Sequence, residues 1–346
     1  MPLILGESDV HELLDMKSAI SSIETAFEEQ SKKRFLLPER QVFKSTDSAV
    51  VRVMAASLPQ LHTLGLKVLL GIPAKRKIDS TYFLVLLLNP EDASLLAIIS
   101  AGRLTQLRTG AASSVATKHL ARHGFSSVGI LGAGVQGYAQ LEAMVATADL
   151  KDIVIFDVDA LRAQAMAEKA KSELGIKARA ANQIDELYKK DVICTATTTV
   201  KPLIFGDKLR EGIHVNAIGS NAPNRQEIDH TVLLKSRVFT DKTEQVLQEA
   251  GDLVIPINQG LYKADNIIGE IADVITGKIA GRNSNSDITL FKSVGIALED
   301  VAVARTIYDL AVRKGAGQDI SFHGKPLTSH APWVSHTSSG FVASET

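Results

Sequence analysis

Apolar residues Ile20, Ile23 and Phe27 recur three and four positions apart within residues 18–33. That spacing puts them on one stripe and predicts an amphipathic helix with Ser18 near its N-cap. The pattern then shifts to short β-rich apolar runs at 49–54, 65–70, 82–88 and 95–99, separated by turn residues such as Asn89-Pro90. The gaps are too short for crossover helices, so the runs predict an antiparallel sheet. Residues 108–119 are rich in small side chains and predict a helix suited to close packing.

From Ser127 onward the rhythm changes again. A strand at 128–131 runs into glycines and a helix at 136–147. A strand at 153–156, a helix at 161–174, and strands at 192–195, 215–218 and 238–240 follow. Strands alternating with helices predict a parallel, doubly wound sheet. A last helix is expected at 293–312, after a Gly/Ser/Asn loop at 281–286. The tail after Gly315 is expected to be loosely ordered or draped on the surface. The fold class is therefore α/β: a Rossmann dinucleotide-binding unit joined to a more antiparallel one.

Composition narrows the function classes. A length of 346 residues suits two domains or one large α/β unit. Lys plus Arg total 38 and Asp plus Glu 39, leaving a net charge of −1 and no electrostatic footprint for nucleic acid or an anionic membrane. Cys194 is the single cysteine, which excludes a disulfide framework and a cysteine-rich metal site. The start lacks a signal-peptide pattern, and the longest apolar run, 82–88, is too short to span a bilayer, so a cytoplasmic protein is expected.

Gly132-Ala133-Gly134-Val135-Gln136-Gly137 matches G-x-G-x-x-G between a strand and a helix. Gly132 permits the tight turn, Gly134 admits a pyrophosphate, and Gly137 lets helix and strand touch. The helix start supplies free N–H groups and a positive dipole end. Asp157 follows about 20 residues later, at the end of the next strand, where an acid accepts from ribose hydroxyls and repels a 2′-phosphate. No Arg immediately follows, so the expected cofactor is NAD(H). Thr195 and Thr197, at the C-terminal end of a later strand, are expected to line the cofactor pocket.

Taken together with motifs elsewhere, the chain resembles the ornithine cyclodeaminase / μ-crystallin family. The resemblance rests on Gly65-Leu66-Lys67, Leu107-Arg108-Thr109-Gly110-Ala111-Ala112-Ser113, the glycine loop, Asn216-Ala217-Ile218-Gly219-Ser220, Thr276-Gly277-Lys278, Gly281-Arg282, Ser293-Val294-Gly295 and Glu299-Asp300. It implies a homodimer that binds a small amino or imino acid. It also implies a discontinuous α+β substrate-binding and dimerisation domain, 1–118 with 304–346, around a Rossmann domain at 119–303. Gly219, Val294 and Gly295 join the implied cofactor contacts. The implied chemistry is hydride transfer at Cα through an imine, which requires a held carboxylate and one managed proton.

Three basic residues fit that task. Arg52 lies on a strand, where an inward Arg is costly without an anion. Lys67 sits among Gly, Leu and Val, so its ammonium is partly desolvated. Arg108 can grip a carboxylate with two parallel N–H bonds. By resemblance all three contact the substrate carboxylate or imine; Arg40 is either a fourth contact or a solvated loop residue. Two departures matter. Cyclodeaminases carry an Asp where this chain has Asn221, and a Glu where it has Arg52. Asn accepts no proton near neutral pH, and Arg repels a cationic amino group. Both favour an NAD-dependent amino-acid dehydrogenase or cyclic ketimine reductase. The alternatives are a cyclodeaminase-type ammonia-lyase using NAD catalytically and a non-catalytic μ-crystallin-like binder. Cys194 reads as a buried strand residue rather than a nucleophile. His11, His62, His119, His123 and His230 show no metal-ligand spacing, so no metal site is expected. Lys75-Arg76-Lys77 reads as a solvated turn.

Overall fold

The computed structural model describes residues 1–46, 49–71 and 81–321. Two sheets organise the chain. The first is formed by β1 (Leu3–Leu5), β2 (Gln41–Thr46), β3 (Ala49–Leu58), β4 (Thr63–Gly71), β5 (Thr81–Leu88) and β6 (Leu95–Ser100), with α1 (Glu7–Leu13) and α2 (Met16–Ser31) between β1 and β2. α3 (Gly102–Leu120) leads to the second sheet. That sheet contains β7 (Ser127–Leu131), β8 (Asp152–Phe156), β9 (Arg179–Ala180), β10 (Val192–Thr195), β11 (His214–Ala217), β12 (Ser236–Thr240), β13 (Ile267–Glu270) and β14 (Ile288–Lys292). Its helices are α4 (Val135–Thr147), α5 (Ala160–Leu174), α6 (His230–Lys235), α7 (Thr243–Glu249), α8 (Gly251–Asn258) and α9 (Ile271–Ile275). α10 (Ala297–Lys314) returns to the first sheet, and β15 (Gln318–Asp319) extends it.

The first sheet has the order β15-β1-β6-β5-β4-β3-β2. Its pairings are antiparallel as expected, except that β1 lies parallel to β6. Alternation decides its two faces. Met54, Lys67, Val85 and Ile99 stand directly opposite one another across four strands and are all buried. α10 lies on β3, β4 and β5 on this inner face. Gly65 makes that approach possible, because a Cβ there would come 2.6 Å from Val301 Cγ2.

The second sheet is wholly parallel, with the order β13-β12-β14-β11-β10-β7-β8-β9. The chain reverses its winding between β7 and β10, so a crevice opens at their C-terminal ends. α3 packs between the two sheets, against α2, α4, β5, β11 and β14. Its small residues have the expected role, and a Cβ on Gly110 would overlap the Ala139 carbonyl oxygen of α4.

Several expectations need correction. Asp15, not Ser18, caps α2, accepting from Ser18 N at 2.7 Å. The last helix begins at Ala297, because Ser293–Gly295 forms a loop held by Asp241. The tail is not wholly loose, since β15 pairs with β1. The remainder of the tail and Lys75-Arg76-Lys77 lie outside the described residues. Among the described residues no helix is long and apolar enough to cross a membrane.

The α3–α4 contact yields a stability prediction. Gly110→Ala should lower stability by about 1–3 kcal/mol, because the methyl must push a backbone carbonyl rather than a flexible side chain. A urea midpoint equal to that of the unmodified chain would contradict the close approach.

Candidate active site

The crevice between β7 and β10 carries the glycine loop. Gly132 has φ +102°, and a Cβ there would lie 2.6 Å from Ala196 O. Gly137 touches the Gly132 carbonyl so closely that any side chain is excluded. Gly134, at the N-cap of α4, faces open space, with nothing within 4 Å of a built Cβ. The loop is thus tight where chain meets chain and open where a ligand must approach. The first turn of α4 directs N–H groups into that opening. Asp157 is half-buried beside it, accepting from Ala133 N at 2.7 Å and Asp159 N at 2.9 Å. Each carboxylate oxygen keeps acceptor capacity for a ribose hydroxyl. Open cradle, free donors and terminal acid together fit a dinucleotide.

A cavity of about 460 Å³ adjoins this crevice, between the inner face of the first sheet and the loops of the second. Arg40, Arg52, Lys67 and Arg108 all line it. Lys67 rises from the apolar row on β4 and is only 2% exposed. Its Nζ donates to Asp300 Oδ1 at 2.6 Å and lies 5.2 Å from the centre of the Phe83 ring. Burial pulls the Lys67 pKa down to about 8, against the opposing pull of Asp300. Arg108, on α3, places Nη1 2.6 Å from Glu299 Oε2 and Nε 3.1 Å from the same Asp300 oxygen. Burial pushes Glu299 up to about 8, against the pull of Arg108.

The other two cations differ. Arg40 is not the solvated loop residue that was one reading of it. Its Nη1 meets Glu249 at 2.6 Å and its Nη2 donates to Gly295 O at 2.8 Å. Arg52 shares the next register row with Leu69 and Phe83. Among the described residues no carboxylate lies within ion-pair distance of Arg52. Asn221 lines the same cavity, its Oδ1 accepting from Arg225 Nη1 at 3.3 Å. Gln136, grouped with the glycine loop, also lines this cavity.

The remaining expected cofactor contacts are placed unevenly. Thr195 is fully buried, and its hydroxyl donates to Glu227 Oε2 at 2.7 Å. It lies beneath the pocket and does not line it, because it has no exposed surface. Thr197 donates to Glu227 through both N (2.6 Å) and Oγ1 (2.8 Å), and Gly219 N donates to the same carboxylate at 2.7 Å. Val294 and Gly295 do line the cavity, but their N–H groups are taken by Asp241 Oδ2 at 2.9 and 2.7 Å. Cys194 is buried as expected, and burial pushes its thiol up to about 12, so it is no nucleophile at neutral pH.

Sequence reasoning assigned no role to Glu227, Asp241, Asp252, Glu299 or Asp300, all of which are fully buried. One signal was available. The first turns of α10 are apolar on every side except at Glu299 and Asp300, and charges in a wholly buried helix must be paired.

Comparison with known proteins agrees with this geometry. Residues 1–315 match the ornithine cyclodeaminase/mu-crystallin family. The chain is 34% identical to a Delta(1)-pyrroline-2-carboxylate reductase of Bacillus cereus, over 92% of this chain and 100% of that protein. It is 33% identical to an alanine dehydrogenase of Archaeoglobus fulgidus, over 92% of this chain and 98% of that one. The solved structure of Thermococcus litoralis Delta(1)-pyrroline-2-carboxylate reductase in complex with NADH and L-proline superposes with a TM-score of 0.88 at 34% identity, covering 92% of this chain and 100% of that chain. On sequence and fold together, the chain belongs to the ornithine cyclodeaminase/mu-crystallin family.

Proposed function

We propose that this chain is an NAD(H)-dependent reductase of a small cyclic imino acid, with 1-pyrroline-2-carboxylate as the leading substrate. It is an oxidoreductase of amino or imino acids, as its pyrroline-2-carboxylate reductase and alanine dehydrogenase relatives are. The observation that carries the finer reading is the cavity itself. Three of its cations already have carboxylate partners, and Arg52 has none among the described residues, so one guanidinium faces the cavity without a partner of its own. A substrate carboxylate supplies that partner. A second ammonium, as in ornithine, adds repulsion and finds Asn221 where a cyclodeaminase has an acid.

When bound, the nicotinamide supplies a hydride. The protein's part is positioning and one proton. Arg52 and Arg108 hold the substrate carboxylate, and Lys67 Nζ hydrogen-bonds the imine nitrogen. Lys67 gives that nitrogen its proton as the carbon is reduced, and regains one from solvent afterwards. An ammonium whose pKa is about 8 is well matched to this donation near neutral pH. Gly132, Gly134, Gly137 and Asp157 hold the dinucleotide.

The division of labour follows the two sheets. A boundary between 303 and 304 would cut α10, which packs on the first sheet from its first turn, so the substrate-binding unit is read as residues 1–118 with α10 (Ala297–Lys314) and β15, and residues 119–296 bind NAD(H). Assembly as a homodimer is part of the same reading. The outer face of the first sheet carries Leu64, Leu66, Val68, Leu70, Tyr82, Leu84 and Leu86, none of them buried in the single chain. An apolar sheet face of this extent favours a second protein surface. A cytoplasmic site of action belongs to the same proposal.

Three outcomes are expected. Purified protein should oxidise NADH with 1-pyrroline-2-carboxylate, and NADPH less efficiently because Asp157 repels the 2′-phosphate. Pyruvate with ammonia is the competing substrate pair, and a higher kcat/KM on it would make the chain an alanine dehydrogenase. Ammonia and proline from ornithine without net NADH change would overturn the reductase reading. The second outcome concerns pH. Lys67 is charged below about 8 and neutral above, so kcat/KM for imine reduction should fall as pH rises through about 8. Lys67→Met should reduce kcat by about 100-fold or more and remove that limb while leaving NADH affinity nearly unchanged. A flat profile to about pH 9.5 in the unmodified enzyme, well past the range in which such an ammonium loses its proton, would count against Lys67. Thirdly, sedimentation should give the mass of two chains, and the double change Leu70→Glu with Tyr82→Lys should give monomers.

A further inference from the structure

Beneath the loops that follow β10 and β11 lies Glu227, fully buried. Its carboxylate is used on both sides. Oε1 accepts from Thr197 N at 2.6 Å and Thr197 Oγ1 at 2.8 Å, in the loop after β10. Oε2 accepts from Gly219 N at 2.7 Å, in the loop after β11, and from Thr195 Oγ1 at 2.7 Å. The loops touch at this point, since a Cβ on Gly219 would overlap both Glu227 and the Thr197 backbone. Glu227 is itself fixed from below. Asp252 Oδ1 accepts from Glu227 N at 2.7 Å and Ile228 N at 3.1 Å, and Asp252 Oδ2 takes Lys292 Nζ at 2.8 Å. Lys292 ends β14, immediately before the Ser293–Gly295 loop of the cavity wall. One buried network thus reaches the C-terminal ends of β10, β11 and β14.

We propose that Glu227 is a positioning residue of the active site: its carboxylate clamps the loop after β10 to the loop after β11 and so sets the wall that NAD(H) and substrate share. The proposal rests on the NAD(H) reading above. Thr198, from the first loop, and Ile218 and Asn221, from the second, are the wall residues that depend on the clamp. Ala196 O, from the first loop, also abuts Gly132, so the clamp bears on the glycine turn as well. Placement of this kind acts by holding a productive geometry in advance of binding. The clamp requires a group that accepts on both ends. Glu227→Gln keeps the shape but turns one acceptor into a donor. Whichever way the amide faces, its NH₂ opposes a backbone N–H, at Thr197 or at Gly219.

The test uses the full-length protein, with NADH as the probe. Fluorescence titration of Glu227→Gln should show an NADH Kd at least tenfold weaker, and kcat should fall at least tenfold. The Thr197 and Gly219 amides should exchange hydrogen at least tenfold faster, while those of β7 keep their protection. A residue that merely stabilises the fold would lower the melting temperature and leave NADH affinity and kcat unchanged well below it. Thr195→Val covers the case in which Glu227→Gln does not fold. Thr195 is fully buried and its hydroxyl donates to Glu227, so a threefold or greater weakening of NADH binding together with faster exchange of the Gly219 amide supports the clamp. NADH affinity within twofold of the unmodified chain, with unchanged exchange at both amides, would overturn the clamp. If the unmodified chain binds no NADH, the NAD(H) reading fails separately, and amide exchange alone decides the clamp.

Discussion

One oxygen of Asp300 ties together the cation-lined cavity between the two sheets. Lys67 Nζ reaches it at 2.6 Å from β4, and Arg108 Nε reaches it at 3.1 Å from α3. Asp300 itself sits in the first turns of α10. Three elements far apart in the chain therefore meet at a single carboxylate. Without it, two cations would face each other in a space from which water is largely excluded. Their repulsion at low effective dielectric would spread the cavity or strip Lys67 of its proton. Glu299, the neighbouring residue, takes the other end of Arg108 and fixes the direction of the guanidinium. The pairing carries a desolvation cost, and its value lies in orientation more than in net stability.

The same principle recurs on the other side of the cavity. Asp241 accepts from the backbone of the Ser293–Gly295 loop, and Glu227 accepts from the loops after β10 and β11. A parallel sheet delivers its strand ends to one edge but leaves the following loops without partners of their own. Buried carboxylates supply those partners, each accepting from several N–H groups at once. The cavity is consequently walled by loops that behave as part of the framework. What remains free to adjust to a ligand is a few side-chain ends, Arg52 and Asn221 among them.

Much of this was legible along the chain. The glycine loop, Asp157 and the strand ends around it follow from local rules, because a tight turn, a close approach and a helix start each constrain residues near one another in sequence. Lys67 and Arg108 stood out because a charge in an apolar strand or a small-residue helix demands an explanation. Thr195 was misplaced for the converse reason. Its position at a strand end suggested a ligand contact, yet whether its hydroxyl faces the crevice or the interior depends on Glu227, far along the chain. Asp15 displaced Ser18 as the cap of α2 through a shift of one turn that periodicity cannot resolve. β1 and β15 escaped notice because two- and three-residue strands carry no periodic signal.

The sequence by itself determined the parallel sheet with its dinucleotide loop and the antiparallel character of most of the first sheet, both encoded by neighbours or by short periods; the grouping of Arg52, Lys67 and Arg108 came from the resemblance to a family. Only the tertiary structure decided which carboxylates neutralise which cations. Asp300 shared between Lys67 and Arg108, Glu249 on Arg40, and Arg52 left without a carboxylate partner among the described residues are pairings over long sequence distances. The physical reason is that charge compensation acts through space: a buried ammonium is satisfied by whichever carboxylate the packing brings within about 3 Å, and spacing along the chain carries no record of that distance.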